Sequence, residues 1–292
     1  MFFARRILRI WPNYYAVLLA AWAVDLGGAR PTILWHLLQL SNIYYLLRGD
    51  WEPWVASHLW TLSVEEQFYL VWPFAVLLLP LAGIRALLAT IIVGSALVRG
   101  ASPLFSEDAA SMALVITAPL DALGLGAAIA LALHCGVRLE RLRRLLMPAA
   151  AVAAIALAVL ALLPLPRLWL ALEFTLFGVI LAYLVVGASI GFGGWAGRLL
   201  EHRAIVYCGR ISYGIYLFHL FVWAAVTGLA WRLGFDISGT GPMTFLAMST
   251  FTLMVAMASW HVVEQPINAL KRYFPYRARG TILARGQGAA GA

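Results

Sequence analysis

Long apolar runs alternate with short polar or basic segments along the 292-residue chain. A helix needs about 20 mostly apolar residues to cross a membrane. The pattern therefore predicts an all-α, polytopic membrane helix bundle with about eight spans. These spans are expected near residues 12–28, 60–80, 84–98, 112–134, 146–163, 168–190, 206–231 and 242–263.

The segment 31–47, PTILWHLLQLSNIYYLL, is apolar but contains four polar side chains. The side of the membrane on which this segment lies follows from the distribution of basic residues, because these concentrate in cytoplasmic loops. The arginine-rich loop 135–145 is therefore expected in the cytoplasm, and counting spans from it places both termini there and residues 48–59 outside. The segment 31–47 must then begin and end outside, so we expect it to lie at the interface or to re-enter the membrane.

The composition agrees with a membrane protein: 63% of the residues are hydrophobic, 12% are charged, and the mean hydropathy is +0.87. Soluble domains have about 45–50% apolar and about 25% charged residues. The net charge of +8 comes from clusters between the apolar runs, which indicates orientation in the membrane rather than a nucleic-acid partner. We expect a multi-pass protein of the cell membrane, in bacteria the inner membrane. Cys135 and Cys208 should be reduced thiols at cytoplasmic ends, without a disulfide or metal spacing.

The stretch SHLWTLSVEEQFYLVWP, residues 57–73, begins the second predicted span with two adjacent carboxylates. Glu65 and Glu66 lie about 100° apart on a helix, so they must have different neighbours. Ser63, Glu66 and Gln67 share one face, and Glu65 belongs to the neighbouring one. A carboxylate there can act as a general base or orient one. The alternative is an ion pair with an arginine that locks two helices.

Three further groups of polar residues fall in or beside apolar runs. Ser212, Tyr216 and His219 form one stripe, either the wall of a polar cavity or a line of interhelical hydrogen bonds. Asp121 either caps the helix after Pro119 or pairs with an arginine. Near the N-terminus Arg5, Arg6 and Arg9 form a basic cluster, which alone favours an anchor to anionic lipid over a phosphate site.

Several segments, in this order, resemble the acyltransferase-3 family of integral membrane O-acyltransferases. The most specific is LWTLSVEEQFYLVWP (59–73), preceded by FFARRILRIWPNYY (2–15). After it come TAPLDALGLGAAIA (117–130), GRISYGIYLFHLFV (209–222) and VVEQPINAL (262–270). The resemblance covers about residues 2–272, which we take as one transmembrane domain followed by a basic, disordered tail at 273–292.

The resemblance implies a ten-span fold and transfer of an acyl group, commonly acetyl, from cytosolic acyl-CoA to a hydroxyl of a sugar, polysaccharide or glycolipid. The donor is a substrate, and no bound cofactor or metal is implied. Glu65 and Glu66 would be catalytic. Arg5, Arg6 and Arg9 would bind the CoA phosphates. Substrate-binding roles would fall to His58, Trp60, Ser63, Tyr69, Ser212, Tyr216 and His219.

The sequence departs from the family at its start, because the family has two further spans before the basic helix. The first of them carries the histidine taken as the catalytic base, and no histidine of this chain matches it. The alternative is therefore a truncated, non-catalytic paralogue that binds the membrane or a partner protein. A transporter is a third class, but it would show discontinuous helices in paired halves, and no such symmetry is evident.

Overall fold

The structure, a computed structural model, describes residues 1–105, 107–235 and 241–275, and for 107–111 the backbone alone. These residues form helices and no strand. The α-helices are α1 (Phe2–Ala23), α2 (Ile33–Leu37), α3 (Ser41–Arg48), α4 (Leu59–Leu78), α5 (Leu81–Ala101), α6 (Glu107–His134), α7 (Leu139–Leu162), α8 (Pro166–Ile190), α9 (Gly194–Leu200), α10 (Arg203–Arg232), α11 (Pro242–Ser259) and α12 (Gln265–Ala269). A π-helical turn, Trp260–Glu264, joins the last two, and a 3₁₀ turn, Leu270–Tyr273, follows α12.

Six helical segments of the described chain are long and apolar enough to cross a membrane. They correspond to the last six predicted spans: Leu81–Leu104, Met112–His134, Leu139–Leu162, Pro166–Ile190, Arg203–Arg232 and Pro242–Tyr273. Phe2–Ala23 with Leu26–Leu37 forms an interrupted seventh candidate. The helix α4 exists as predicted, but its polar first half lowers its mean hydropathy. The all-α membrane bundle is confirmed, and the count of eight spans stays a prediction.

Two helices begin well before their apolar runs do. We expected spans from residues 12 and 146, whereas α1 begins at Phe2 and α7 at Leu139. The basic residues Arg5 and Arg141 therefore lie on helices rather than in loops. Arginine is a good helix former, and its long side chain can extend to the interface, so a helix continues past the end of its apolar stretch.

The segment 31–47 is broken into short helices. The helices α2 and α3 have 5 and 8 residues, far fewer than the about 20 that a span requires. Between them Gln39 has φ 57°, a left-handed conformation that is uncommon outside glycine. The structure agrees with the prediction that this segment does not cross the membrane as one helix.

The chain divides into two compact units, one of residues 1–26 with the described residues from Cys208 on, the other of residues 27–207. In the second unit α5, α6 and α8 approach closely at small residues. A Cβ on Gly100 would lie 3.0 Å from Ala171 Cβ, and one on Gly178 would lie 2.7 Å from Leu125 Cδ1. Small residues at helix interfaces are typical of membrane bundles.

In the first unit α1 packs beside α10 and the chain end. The Tyr213 hydroxyl of α10 donates to the backbone oxygen of Ile10 at 2.8 Å. The predicted disordered tail, 273–292, falls outside the described residues from position 276 on, so the structure does not test it.

Candidate functional site

A pair of side-chain amides holds the start of α4 against the turn between α2 and α3. Asn42 Nδ2 donates to Gln67 Oε1 at 3.1 Å, and Gln67 Nε2 donates back to Asn42 Oδ1 at 2.9 Å. Gln67 Nε2 also donates to the backbone oxygen of Gln39 at 3.0 Å. We call this set of bonds the amide latch. Because Gln67 follows Glu66 directly, the amide latch fixes the rotation of α4 about its axis at the two carboxylates.

Buried hydroxyl groups make a second connection one turn earlier. The backbone N–H of Ser41 donates to Ser63 Oγ at 3.3 Å, and Ser63 Oγ donates to the backbone oxygen of Leu59. The Ser41 hydroxyl in turn lies 2.7 Å from His36 Nδ1, and Thr32 Oγ1 lies 3.3 Å from His36 Nε2. The predicted substrate-binding residue Ser63 is therefore fully buried and engaged in holding α4 in place.

By helical spacing, Glu66 shares this anchored face and Glu65 belongs to the neighbouring one. Glu65 and Glu66 are both half-buried, as are Trp60 and Tyr69, while His58 at the helix start is buried. The predicted catalytic pair thus lies on a helix whose orientation is fixed by bonds from Ser63 and Gln67. Rigid placement of reacting groups is what catalysis requires of a scaffold, and their chemical roles remain predictions.

Aromatic rings follow the loop that leads into α4. The rings of Tyr45 and Trp51 lie 5.6 Å apart, and those of Trp51 and Trp60 lie 6.3 Å apart. The Tyr45 hydroxyl donates to the backbone oxygen of Pro53 at 3.1 Å, which ties the loop to α3. In the same loop the Arg48 guanidinium donates to Asp50, and this hydrogen bond holds the pKa of that carboxyl below its usual value.

The basic residues of α1 have different surroundings. Arg5 Nη1 donates to the backbone oxygens of Lys271 at 3.1 Å and Phe274 at 3.0 Å, so it ties α1 to the 3₁₀ turn after α12. Arg6 is half-buried and Arg9 is exposed. Of the three predicted phosphate-binding residues, Arg9 is the most accessible, and Arg5 has a structural role that the sequence did not indicate.

Two residues of the polar stripe on α10 form hydrogen bonds to the backbone of their own helix. The Ser212 hydroxyl is exposed and donates to the backbone oxygen of Gly209 at 2.9 Å. His219 Nδ1 contacts the backbone oxygen of Tyr216, and the two rings lie 5.7 Å apart. These bonds lie within α10, and the substrate-binding role of Ser212, Tyr216 and His219 remains a prediction.

Sequence reasoning missed the partner of Asp121, which is Arg99. Arg99 Nη2 lies 2.6 Å from Asp121 Oδ2, and both side chains are fully buried. The Thr175 hydroxyl donates to the same carboxylate oxygen at 2.6 Å, and Arg99 also donates to the backbone oxygens of Leu170 and Ala171. The structural interpretation of Asp121 is therefore confirmed. The signal in the sequence was an arginine at the very end of an otherwise apolar run.

A second buried carboxylate, Glu264, also lacked a sequence explanation. Asn13 Nδ2 of α1 donates to Glu264 Oε1 at 2.7 Å, and both side chains are buried. Glu264 ends the π-helical turn, and Gly214 of α10 faces it: a Cβ there would lie 3.2 Å from Glu264 Oε1. The pair joins α1 to the last helix. Among the described residues no group of three His, Cys, Asp or Glu side chains could hold a metal ion.

The comparisons with known proteins agree with the motifs. A family model described as an acyltransferase domain, that of the acyltransferase-3 family, matches residues 1–261. No curated protein and no solved structure matches the chain. The matched range includes the segment 59–73 with both carboxylates and the basic helix at 2–15. Because the match covers most of the chain, the protein belongs to the acyltransferase-3 family of membrane acyltransferases.

Proposed function

We propose that the chain transfers an acyl group, in the first instance acetyl, from acyl-CoA to a hydroxyl of a sugar, polysaccharide or glycolipid. The observation that carries this proposal is the placement of Glu65 and Glu66 on an acyltransferase-family helix held by the amide latch. Carboxylates in an apolar helix bundle are costly, and they mark functional sites by default. Here the helix that carries them is also fixed in rotation.

The reaction needs a base, an acyl donor and a hydroxyl. The base removes the proton of the acceptor hydroxyl while the oxygen attacks the thioester carbonyl carbon. A carbon–oxygen bond forms, the carbon–sulfur bond breaks, and CoA leaves as the thiol with that proton. We assign Glu65 and Glu66 to orienting the base or the acceptor, and we do not assign the base to His58 or His219.

The donor would be held by its phosphates. Arginine matches phosphate geometry through its planar set of donors, and Arg9 is exposed with its guanidinium available to the surface. Arg6 lies beside it on α1. Arg5 would contribute charge while its Nη1 donates to the backbone of the turn after α12. The rings of Trp51 and Trp60 provide an apolar surface of the kind that sugar acceptors can stack on.

The experiment is an acyl-transfer assay on the protein expressed from its complete reading frame and reconstituted in lipid nanodiscs. Acetyl-CoA and candidate glycans or glycolipids are supplied, and both free CoA and the acetylated acceptor are quantified by mass spectrometry. A thiol-reactive dye is unsuitable, because Cys135 and Cys208 are both exposed free thiols. We expect release of CoA and an acetyl-sized mass increase on one class of acceptor.

The carboxylate assignment is tested by the double variant Glu65→Gln/Glu66→Gln. Turnover should fall by about 10²–10⁴-fold, the usual contribution of acid–base groups, while the helix bundle stays folded. The matched control is Glu140→Gln, an exposed carboxylate on α7, which should leave turnover unchanged. Normal turnover in the double variant would contradict the assignment. A folded parent protein that acetylates no acceptor would favour the non-catalytic alternative.

A further inference from the structure

A row of aromatic rings leads from the interior of the second compact unit to its surface. Tyr45 is fully buried, Trp60 is half-buried, and Trp51 between them is 36% exposed. Adjacent rings in this row lie 5.6 and 6.3 Å apart, within the range of aromatic pairs. We call Tyr45, Trp51 and Trp60 the ring row. The two less exposed rings support Trp51, whose remaining surface is open to a ligand.

The loop that carries Trp51 is held in one conformation by its own side chains. The Arg48 guanidinium donates to Asp50 Oδ2 at 2.9 Å, and the backbone N–H of Glu52 donates to Asp50 Oδ1 at 3.0 Å. The backbone N–H of Trp54 in turn donates to Glu52 Oε2 at 3.2 Å. An aromatic surface that is rigid before binding loses little entropy when a ligand stacks on it.

Carboxylates on both sides of Trp51 argue against a place in the hydrocarbon of the bilayer. Asp50 precedes the tryptophan and Glu52 follows it, and Glu52 is exposed. Ionised carboxylates are costly in the bilayer core. Interfacial tryptophans commonly serve as membrane anchors. Here, however, hydrogen-bond acceptors stand next to the ring, and they suit a ligand that has both an apolar face and hydroxyl groups.

A sugar ring has both of these surfaces. One face of a pyranose carries C–H groups, whose slight positive charge is attracted to the negative face of an aromatic ring. Its rim carries hydroxyls, and carboxylate oxygens accept hydrogen bonds from hydroxyls. A lipid chain would contact the ring alone and leave the carboxylates against apolar atoms, which is unfavourable.

The charge of the loop indicates which sugars bind. Arg48 is paired with Asp50, and Glu52 has no ion pair among the described residues. One arginine and two carboxylates leave the loop with a net charge of minus one. An acidic sugar would bring its own carboxylate close to Glu52 and to the negative face of Trp51, and both interactions are repulsive. A neutral sugar meets neither penalty.

We infer that Asp50, Trp51 and Glu52 bind a neutral pyranose of the acceptor, stacked on Trp51, and that they disfavour uronic acids. The inference rests on the proposed function for the identity of the ligand as an acceptor. In the sequence Trp60 precedes Glu65 by five residues, about 7.5 Å along the axis of α4. A glycan held at the ring row therefore extends toward the predicted catalytic carboxylates.

The test is saturation-transfer NMR of the full chain in phosphatidylcholine nanodiscs, without acyl-CoA. The probes are the methyl glycosides of glucose and galactose and, as matched acids, those of glucuronic and galacturonic acid. Empty nanodiscs provide the blank, and maltoside detergents are avoided because they carry a sugar themselves. We expect transfer to the ring protons of the neutral glycosides, and an affinity for each acid about two- to fivefold lower, the effect of one exposed charge.

Variants of the loop test the ring and the charge separately. Trp51→Ala should weaken binding of the neutral glycosides at least about fivefold, and Trp51→Phe, which keeps a ring, should retain most of it. The matched control is Trp54→Ala, because Trp54 is 37% exposed in the same loop but lies outside the ring row.

Glu52→Gln keeps an oxygen that accepts hydrogen bonds but removes the charge. It should narrow the difference between neutral and acidic glycosides at least about twofold without weakening the neutral ones. Size-exclusion profiles establish that each variant is folded. If Trp51→Ala is not folded, Trp51→Leu replaces it, since leucine provides apolar bulk without a ring.

Three results would overturn the inference. The first is equal binding by the parent and the folded variant without the ring, or signals no stronger than those of empty nanodiscs, which would make the ring row a membrane anchor. The second is an equal loss in Trp54→Ala, which would remove the role of the ring row. The third is binding of the acids that equals or exceeds that of the neutral glycosides.

Failure of the proposed function gives a different result. A parent protein that binds the neutral glycosides but releases no CoA from acetyl-CoA supports this inference and contradicts acyl transfer. A parent protein that acetylates a sugar, together with a folded Trp51→Ala variant that binds and acetylates equally well, contradicts this inference alone.

Discussion

At the scale of single residues, Arg99 and Asp121 form a fully buried charge pair. Removing one member leaves the other charge buried without its counter-ion, which costs about 3–5 kcal/mol. We therefore expect Asp121→Leu to lower the melting midpoint of the detergent-solubilised protein strongly, measured by tryptophan fluorescence. Arg99→Leu should do the same, although Thr175 continues to donate to the carboxylate.

The double variant Arg99→Leu/Asp121→Leu tests whether the two residues stabilise the protein as a pair or independently. Replacing a buried ion pair by apolar residues is often close to neutral, so the double variant should lose less stability than the sum of the single variants. Glu140→Gln, which removes an exposed carboxylate near Arg138, is the control and should not shift the midpoint. Additive losses would show that Arg99 and Asp121 act independently.

For these residues, the sequence shows which side chains are charged but not which partners they bind. The cost of an aspartate in an apolar run predicts that Asp121 either caps its helix or pairs with an arginine. It does not identify Arg99, because that choice depends on how α5 and α6 pack. The same limit applies to Arg5, whose charge is visible in the sequence. The bonds of Arg5 to the backbone oxygens at 271 and 274 form only when α1 packs against the turn after α12.

At the scale of one helix, α10 offers two glycines with opposite expected responses to alanine. At Gly214 a Cβ would lie 3.2 Å from Glu264 Oε1 and 3.3 Å from Ala256 Cβ, so Gly214→Ala should destabilise the protein by about 1–3 kcal/mol through overpacking. At Gly228 nothing lies within 4 Å, so Gly228→Ala should gain up to about 1 kcal/mol of helix propensity.

Melting midpoints of the two alanine variants, measured side by side, test this prediction. The pair shares a helix and a substitution, so the difference between the midpoints reports the packing around Gly214 alone. Equal midpoints would mean that α10 shifts to accommodate the added methyl group, and that the contact between α10 and Glu264 is loose.

At the same scale, the amide latch predicts the effect of Gln67→Leu. The variant leaves the Asn42 amide and the Gln39 backbone oxygen without their partner, at about 1–3 kcal/mol for each group that stays buried. We expect a lower melting midpoint and, under the proposed function, a lower kcat because α4 can rotate.

Asn42→Leu should behave alike, and the double variant should lose little more than either single one, since both remove the same bonds. Losses that add fully would contradict a shared latch.

The helical spacing predicted that Ser63 and Gln67 share a face, and the structure confirms it. The spacing could not predict that residues 39–42 pack against that face, because the turn at Gln39 has a left-handed conformation that no local sequence signal requires.

At the scale of the whole molecule, the fold class was the easiest property to predict. A bilayer leaves the backbone no partner except itself, so an apolar run of sufficient length must be a helix. Helix ends were harder, because arginines extend α1 and α7 beyond their apolar runs. The candidate site was predictable only as a set of residues on α4, since its buried anchors at His36 and Ser41 come from a segment with no spanning pattern.

The orientation in the membrane is a property of the entire chain, and the distribution of charge predicts it. Charge counting places Cys135 and Cys208 in the cytoplasm and residues 48–59 outside, and both thiols are exposed and free. A membrane-impermeant maleimide should therefore label the parent protein in inverted vesicles and not in right-side-out vesicles. Glu52→Cys, made with serine at 135 and 208, should show the reverse, because Glu52 is exposed in the outer loop. Labelling of both sets from the same side would mean that an even number of spans separates residue 52 from Cys135, and would require a different path for α4, α5 or α6.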